Sequence, residues 1–538
     1  MLATSNGDAT AAPEGGREFD TDVIIVGAAP TGLMLAAELR RVGVRALALE
    51  RLARIRATPK AGGVGGQLLK FLDYRGLTER FETASGKPRP TPTFPFGGLH
   101  VDLTQLADNP MEALLLPQPD LERLLEEIAT ELGAGIRRGH EVVDLSQDDA
   151  SVTADVRGPD GPYRVTARYL VGCDGVRSPV RDMAGIAFPG VTYPEVNRLG
   201  HFTMPESVTL LEDGSYELPD GGRLPFGYTQ TDRGVFAISS YTPHDMGVYT
   251  NEEETTEYDD AVPMTVAEFR DSIRRVLGTD LPLGEPSRLT RFTYGARQAD
   301  RYRVGRVLVA GDAAHQFPSG GVALNAGMLD TVNLAWKLAA ELDGWAPPGL
   351  LDTYHDERHL AGARTLLHTQ AQVALRRGLD GAADALRQVF AELLEDDPAR
   401  RRIGTMIAGA DIRYPMPGAN PHVLAGTLTP QLALRTDRGV TSVAALMHSA
   451  RPILLDLADR QELRDIARRW HPRVDTVTAS TDARPADVLL IRPDAHIAWA
   501  ATIDEPADSA TVALRDALSH WFGLPLAEAF TTTTPAAR

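Results

Sequence analysis

The stretch Val23-Ile24-Ile25-Val26-Gly27-Ala28-Ala29-Pro30-Thr31-Gly32 restricts what this chain can fold into more than any other part of it. A short apolar strand (22–26) runs into a Gly/Pro turn, and an apolar helix follows over about residues 31–42. A second apolar strand, 44–49, ends at Glu50. Continuous apolar strands joined by a helix make a βαβ unit of a parallel sheet covered on both faces. In a dinucleotide fold the first glycine makes the tight turn and the last lets the helix pack close to the sheet. Backbone N–H groups at the helix start then face a pyrophosphate. Glu50 stands twenty-three residues after Gly27, where a carboxylate accepts hydrogen bonds from an adenosine ribose. Ala29 replaces the middle glycine, so the phosphate must sit slightly farther off. This unit alone does not separate FAD from NAD.

Composition removes several function classes. The net charge of −18, with a pI of about 5.2, opposes binding to nucleic acid. Cys173 is the one cysteine, which excludes an intrachain disulfide and any multi-cysteine zinc or iron–sulfur site, and fits a reducing cytoplasm. The first nineteen residues are small and polar and read as a disordered tail, not a signal peptide. The uncharged apolar stretch 23–37 is interrupted by Gly27, Pro30 and Gly32, so it reads as strand, turn and helix and not as a membrane span. At 538 residues, roughly two to four domains are expected.

Along the chain, a helix is expected at 121–132, then short alternating strands at 141–146, 151–156 and 163–168. From about 190 to 290, alternating segments lie between Gly, Pro and Asp turns and long helical periodicity is sparse. This predicts a mostly antiparallel sheet inserted into the first domain. A buried strand returns at 306–310, followed by helices at about 326–342 and 353–378. Residues 415–421 (PMPGANP) read as a linker. Beyond it, strands at 452–457, 474–479, 487–491 and 497–501 alternate with helices near 460–468 and 509–521, a small α/β domain.

Two further motifs fall at strand ends. Gly311-Asp312-Ala313-Ala314-His315 follows the 306–310 strand, and Asp312 is placed to accept from a hydroxyl of a sugar chain, such as the ribityl of a flavin. Pro318-Ser319-Gly320-Gly321-Val322-Ala323-Leu324-Asn325 then runs into a helix, with backbone N–H groups available to a flat ring and its carbonyl. The other motif is Gly172-Cys173-Asp174-Gly175-Val176-Arg177-Ser178. Cys173 reads as a small buried apolar residue, since no second thiol exists for redox work.

The order of these motifs, with the phrase NLAWKL near 333–338, resembles the group A flavoprotein monooxygenases, the para-hydroxybenzoate hydroxylase-like family, over about residues 20–380. The phrases RRGHEVVDL, YLVGCDGVRSPVR and LLDTYHDERH, and the text from HPRVDTVTAS to ADVLLIRPDAHIAWA, are similar to the larger members that hydroxylate aromatic polyketides in antibiotic pathways. The resemblance implies an α/β fold: a Rossmann-like FAD-binding domain of the glutathione-reductase type in two parts (20–190 and 291–410), an inserted, mostly antiparallel substrate sheet (191–290), and a thioredoxin-like domain (420–538). That last domain holds no CxxC and is expected to be structural or oligomerising.

The same resemblance assigns the pyrophosphate to the 27–32 turn and the adenosine end to Glu50 and Arg51. It gives Gln118 the phosphate and ribityl region, Val142 a backbone contact to adenine, and Asp174 with Gly175 a part in binding FAD and NAD(P)H. Asp312 receives the ribityl chain, and the loop from Pro318 through Gly320, Gly321, Val322, Ala323, Leu324 and Asn325 borders the isoalloxazine ring. The implied chemistry is reduction of FAD by NADPH or NADH, addition of O2 at flavin C4a to give the hydroperoxide, and delivery of one oxygen atom to an electron-rich ring. A monomer or homodimer acting on a multi-ring aromatic polyketide follows. No catalytic base is identified; His201, Tyr216 and Tyr241 are candidates in the inserted sheet.

Departures cluster at the ring. Lys60 stands where the family has an arginine, keeping the charge without the bidentate fork. Gln67 replaces a second arginine, and the 315–325 loop is one residue short, with Val322-Ala323 in place of Gln-Gly. Baeyer–Villiger insertion, ring rearrangement of a quinone, or flavin-dependent reduction without oxygen insertion therefore remain alternatives to hydroxylation.

Overall fold

The computed structural model describes residues 19–57, 61–86, 89, 93–104, 106–240, 244–254, 262–318, 321–378, 380–418 and 421–526. Of the expected tail over 1–19, residues 1–18 lie outside them. At the centre is a six-stranded sheet in the order Arg303–Val304, Val307–Val309, Tyr169–Gly172, Val23–Val26, Ala46–Glu50, Gly135–Arg138. All neighbours pair in parallel except the first two. Alternation explains why its inner strands are apolar throughout. Val23, Ile25, Ala46 and Ala48 face a helical layer that includes Pro30–Arg41, Gln118–Glu131 and Ala323–Leu342. Ile24, Val26, Leu47 and Leu49 face an antiparallel three-stranded sheet of Glu141–Gln147, Val152–Gly158 and Gly161–Ala167.

The second six-stranded sheet runs Gly227–Thr231, Gly234–Ser239, Asp245–Glu253, Gly190–Thr203, Pro286–Gln298, His315–Gln316, all antiparallel. Its last strand lies within the segment after Asp312, so the sheet is tied directly to the loop expected at the ring. One face packs Phe236, Ile238, Met246 and Val248 on the helix Val266–Leu277 through Phe269, Ile273 and Val276. Thr265 caps this helix by accepting from Glu268 N at 3.1 Å, and Gly278 ends it in the left-handed conformation. Sparse helical periodicity was the expectation for 190–290, and this twelve-residue helix is the exception.

The C-terminal sheet runs Asp475–Thr478, Ile453–Asp456, Val488–Ile491, Ile497–Ala501, with the first pair parallel and the rest antiparallel. Helices Gln461–Ala467 and Ala507–Phe522 complete a thioredoxin-like βαβ–ββα order. Ile453, Leu455, Leu489 and Ile491 join the core of the first domain, while Leu454, Val488 and Leu490 pack on Trp470, Leu514 and Trp521. The helix Gly381–Leu393, which the sequence reading does not anticipate, buries none of its residues. Among the described residues no helix is long and apolar enough to cross a membrane.

His368, buried in the helix Thr353–Arg377, makes acid stability testable. Burial pushes its imidazole from 6.5 down to about 4, against the pull of Asp411, while Arg364 adds to the fall. The unfolded chain takes up the proton first, so stability is complete above pH 6.5 and is lost as pH falls toward 4. We expect wild type to lose about 2 kcal/mol between roughly pH 7 and pH 5 from this group, and His368→Gln to flatten that slope. Urea midpoints at the two pH values check it.

Candidate flavin site

The carboxyl ends of the parallel strands meet at one crevice. Gly27 N donates to Leu49 O at 2.8 Å, Cys173 N to Val26 O at 2.7 Å and Ala310 N to Gly172 O at 3.0 Å. The turns 27–32, 172–178 and 311–315 therefore begin side by side, at the position where open α/β sheets bind ligands. Gly27 has φ +101°, and a Cβ there would lie 2.5 Å from Cys173 O. At Gly32 a Cβ would lie 1.9 Å from Gly27 O. Pro30 opens the helix, and Ala29 at its N-cap offers no side-chain cap, which leaves the first N–H groups to be met by something other than a side chain.

Glu50, expected at the adenosine ribose, has both carboxylate oxygens engaged by backbone N–H groups. Its Oε2 accepts from Ala28 N and its Oε1 from Leu52 N, both at 2.9 Å, so the carboxylate ties the glycine turn to the second strand. Arg51 beside it is exposed. His140 N donates to Glu50 O at 2.9 Å, which brings the hairpin carrying Val142 to the same end. Gln118 begins its helix, its N–H donating to Ala61 O at 3.0 Å and its amide to Glu122 at 2.7 Å. Arg138, which the sequence reading passed over, pairs with Glu126 and reaches Ala28 O at 3.4 Å, placing a positive charge beside the turn.

Asp174 accepts from Val180 N at 3.0 Å through Oδ2, while its buried Oδ1 has no partner. Burial raises its carboxyl above the usual range, against the hydrogen bond from Ser178. An orphaned acceptor beside the 27–32 turn fits a ligand hydroxyl or N–H. On the far segment, a Cβ on either Gly311 or Gly327 would lie 2.8 Å from Thr31 Oγ1. The two halves of the site, roughly 280 residues apart in sequence, are thus in direct contact.

Asp312 lies exposed in the turn Gly311–Ala313. Pro318 is buried, Gly321 exposed, and Val322, Ala323 and Leu324 start the long helix, again without a side-chain cap. Asn325 clamps this start: its Oδ1 accepts from Gly65 N at 3.0 Å and its Nδ2 donates to Gly321 O at 2.9 Å. Lys60, Gly320 and Tyr241 lie outside the described residues. Gln67 lines a cavity of ≈ 30 Å³ against the C-terminal domain, and its buried Oε1 has no partner.

The sheet face turned from the 266–277 helix carries, by register, Asn197, Leu199, Tyr228, Tyr249, Asn251 and Phe292. Gln230 on this face donates to Arg376 O at 3.1 Å, so the face abuts the end of the 353–377 helix. Tyr249 Oη donates to Asn197 Oδ1 at 2.5 Å, and Asn251 Nδ2 donates to the same oxygen at 3.0 Å. Tyr216 is buried in the opposite core and cannot reach the crevice; His201 lies on the face turned from that core, paired with Arg288, ten residues along the strand from the Gln298 that pairs with His315.

A family model described as FAD binding domain matches residues 20–369, and one described as aromatic-ring hydroxylase, C-terminal, matches 422–525. The chain belongs to the FAD-dependent aromatic-ring hydroxylases. Within that family it is 40% identical over 518 residues to the 12-dehydrotetracycline 5-monooxygenase/anhydrotetracycline 6-monooxygenase of Streptomyces rimosus, covering 94% of this chain and 99% of that one. The structure of CabE, an aromatic hydroxylase from angucycline biosynthesis, matches with a TM-score of 0.84 at 37% identity, over 94% of this chain and all of that one. The dialkyldecalin synthase of Streptomyces rugosporus is 36% identical, over 93% and 98% of the two chains. In this FAD-dependent oxidoreductase the two parts of the FAD-binding domain are packed together at Thr31, Gly311 and Gly327.

Proposed function

We propose that the protein oxygenates a multi-ring aromatic polyketide with O2, drawing electrons from NADPH or NADH, as a cytoplasmic enzyme of antibiotic biosynthesis. The observation that carries this reading is the aromatic and amide face of the second sheet, whose last strand is part of the ring-side segment itself. FAD, when bound, supplies electron acceptance from the nicotinamide and activation of oxygen. The chain supplies position and dryness. The 27–32 turn and Glu50 would hold the adenosine diphosphate, Asp174 and Asp312 the hydroxyl chain, and the 318–325 segment the ring edge.

Tyr228 and Tyr249 meet edge to face with centroids 6.1 Å apart, and Phe292 meets Tyr294 similarly at 5.4 Å, offering flat apolar contact to fused rings. Burial pushes the Tyr249 phenol well up, so it keeps its proton and serves as a donor to Asn197, not as a base. His201 is held below its ordinary 6.5 by burial and by Arg288, against the pull of Asp245. It is neutral at physiological pH.

The test is NADPH oxidation and product mass with a panel of multi-ring quinones under isotopically labelled oxygen gas. We expect substrate to stimulate oxidation and one labelled oxygen to enter the product. Stimulated oxidation without label would assign the protein to reduction, and no stimulation by any of the panel would count against catalysis.

A further inference from the structure

The site leaves one set of buried polar groups unexplained. Asp330, fully buried in the 323–342 helix, accepts from Gly311 N at 3.0 Å and from His315 Nε2 at 2.8 Å through Oδ2. Its Oδ1 accepts from Arg358 Nε at 2.6 Å. Arg358 is buried too, and donates to Tyr414 Oη at 2.8 Å and to Ala326 O at 3.1 Å. Tyr414 is fixed from the C-terminal domain: its ring stacks on His496 at 4.3 Å, its N–H donates to Gly426 O at 2.9 Å, and Gly426 N donates to Ile497 O at 2.8 Å.

Each of these links is short, buried and directional, and the first two are charged. A charged group removed from water takes one geometry, the one that satisfies all its partners. None of the four side chains belongs to the crevice, so the flavin site alone gives no reason for them.

We propose that the C-terminal domain is a brace for the flavin site: His496 and Tyr414 fix Arg358, Arg358 fixes Asp330, and Asp330 fixes the 311–315 turn through Gly311 and His315. The proposal rests on the FAD reading above. It makes Tyr414, Arg358 and Asp330 positioning residues, acting on the cofactor only through the turn that bears Asp312. It also gives the domain without a CxxC a task in the first domain's chemistry.

Tyr414→Phe is the discriminating variant, because it keeps the stack on His496 and removes only the oxygen that accepts from Arg358. In the full-length protein, with and without FAD, we expect the backbone amides of 311–317 to exchange about tenfold faster than in wild type. We expect the FAD dissociation constant to rise by about the same factor, with exchange in the 453–501 sheet unchanged. Asp330→Asn should produce both effects, and the double variant should be no worse than Asp330→Asn alone, since both act along one line. Wild-type exchange and affinity in Tyr414→Phe, or effects of the two substitutions that multiply, would overturn the brace. A wild-type chain that holds no FAD would instead overturn the flavin reading, and the exchange comparison would still decide the brace.

Discussion

Gly32→Ala should yield a protein that purifies without its yellow colour. A Cβ at this position lies 1.9 Å from Gly27 O and 3.1 Å from Gly27 C, both backbone atoms. No rotamer change relieves such a contact. Gly27 cannot yield, because it already sits at φ +101° with its own missing Cβ directed at Cys173 O. The turn must open or the 30–41 helix must move outward, and either displaces the N–H groups that meet the pyrophosphate. A loss of more than about 2 kcal/mol of binding, roughly thirtyfold in affinity, leaves little FAD through purification. Gly381→Ala is the control: a Cβ there meets nothing within 4 Å, and FAD content should stay at about one per chain. The ratio of flavin to protein absorbance, followed by FAD titration, reads the outcome. A Gly32→Ala protein that retains stoichiometric FAD would remove the turn from the site.

What the sequence exposes and what it hides divide along a physical line. The 27–32 turn is legible because its constraint is local: a left-handed residue and a close helix approach leave glycine few substitutes. The helix 266–277 is missed in the sequence although Thr265, Glu268 and Gly278 give a capping signal at both ends, because its four buried residues are too few for the periodicity to stand out. The helix 381–393 buries no residue fully and packs only the half-buried Ala383, Arg387 and Phe390 inward, so its core-facing pattern is faint. Glu50 stands out by its spacing, yet its bond to Ala28 N does not, because the partner of a side chain leaves no trace in composition. The Asp330–Arg358–Tyr414 line is the least legible part. Its members are 28 and 56 residues apart and sit in two helices and an irregular segment whose residues each look ordinary alone. Only the fold brings their charges into register.

Glu357→Gln should cause a large loss of stability, because Glu357 is the hub of a buried charge cluster that joins the two domains. Its carboxylate accepts from Asn333 Nδ2 at 2.6 Å, Lys337 Nζ at 2.7 Å and Arg492 Nη2 at 2.8 Å. Arg492 also pairs with Asp494, and its guanidinium lies 4.5 Å from the Trp521 ring and 5.3 Å from that of Trp336. All of these charges are buried, and the two cations balance the two anions. Removing one anion leaves a net positive charge in a medium that cannot solvate it, at a cost of about 3–5 kcal/mol. Burial already pulls Lys337 from 10.5 down to about 8, opposed chiefly by Glu357. Without Glu357 the lysine gives up its proton more readily, so the loss should fall at the lower end of that range at neutral pH. The double variant Glu357→Gln/Lys337→Met restores the balance of charge and should recover part of the loss, a sign that desolvation and not a missing contact sets the size of the effect. Urea midpoints of wild type, single and double variants measure it. If the double variant is less stable than Glu357→Gln by the full cost of losing Lys337 from the wild type, charge balance is not what holds the domains together.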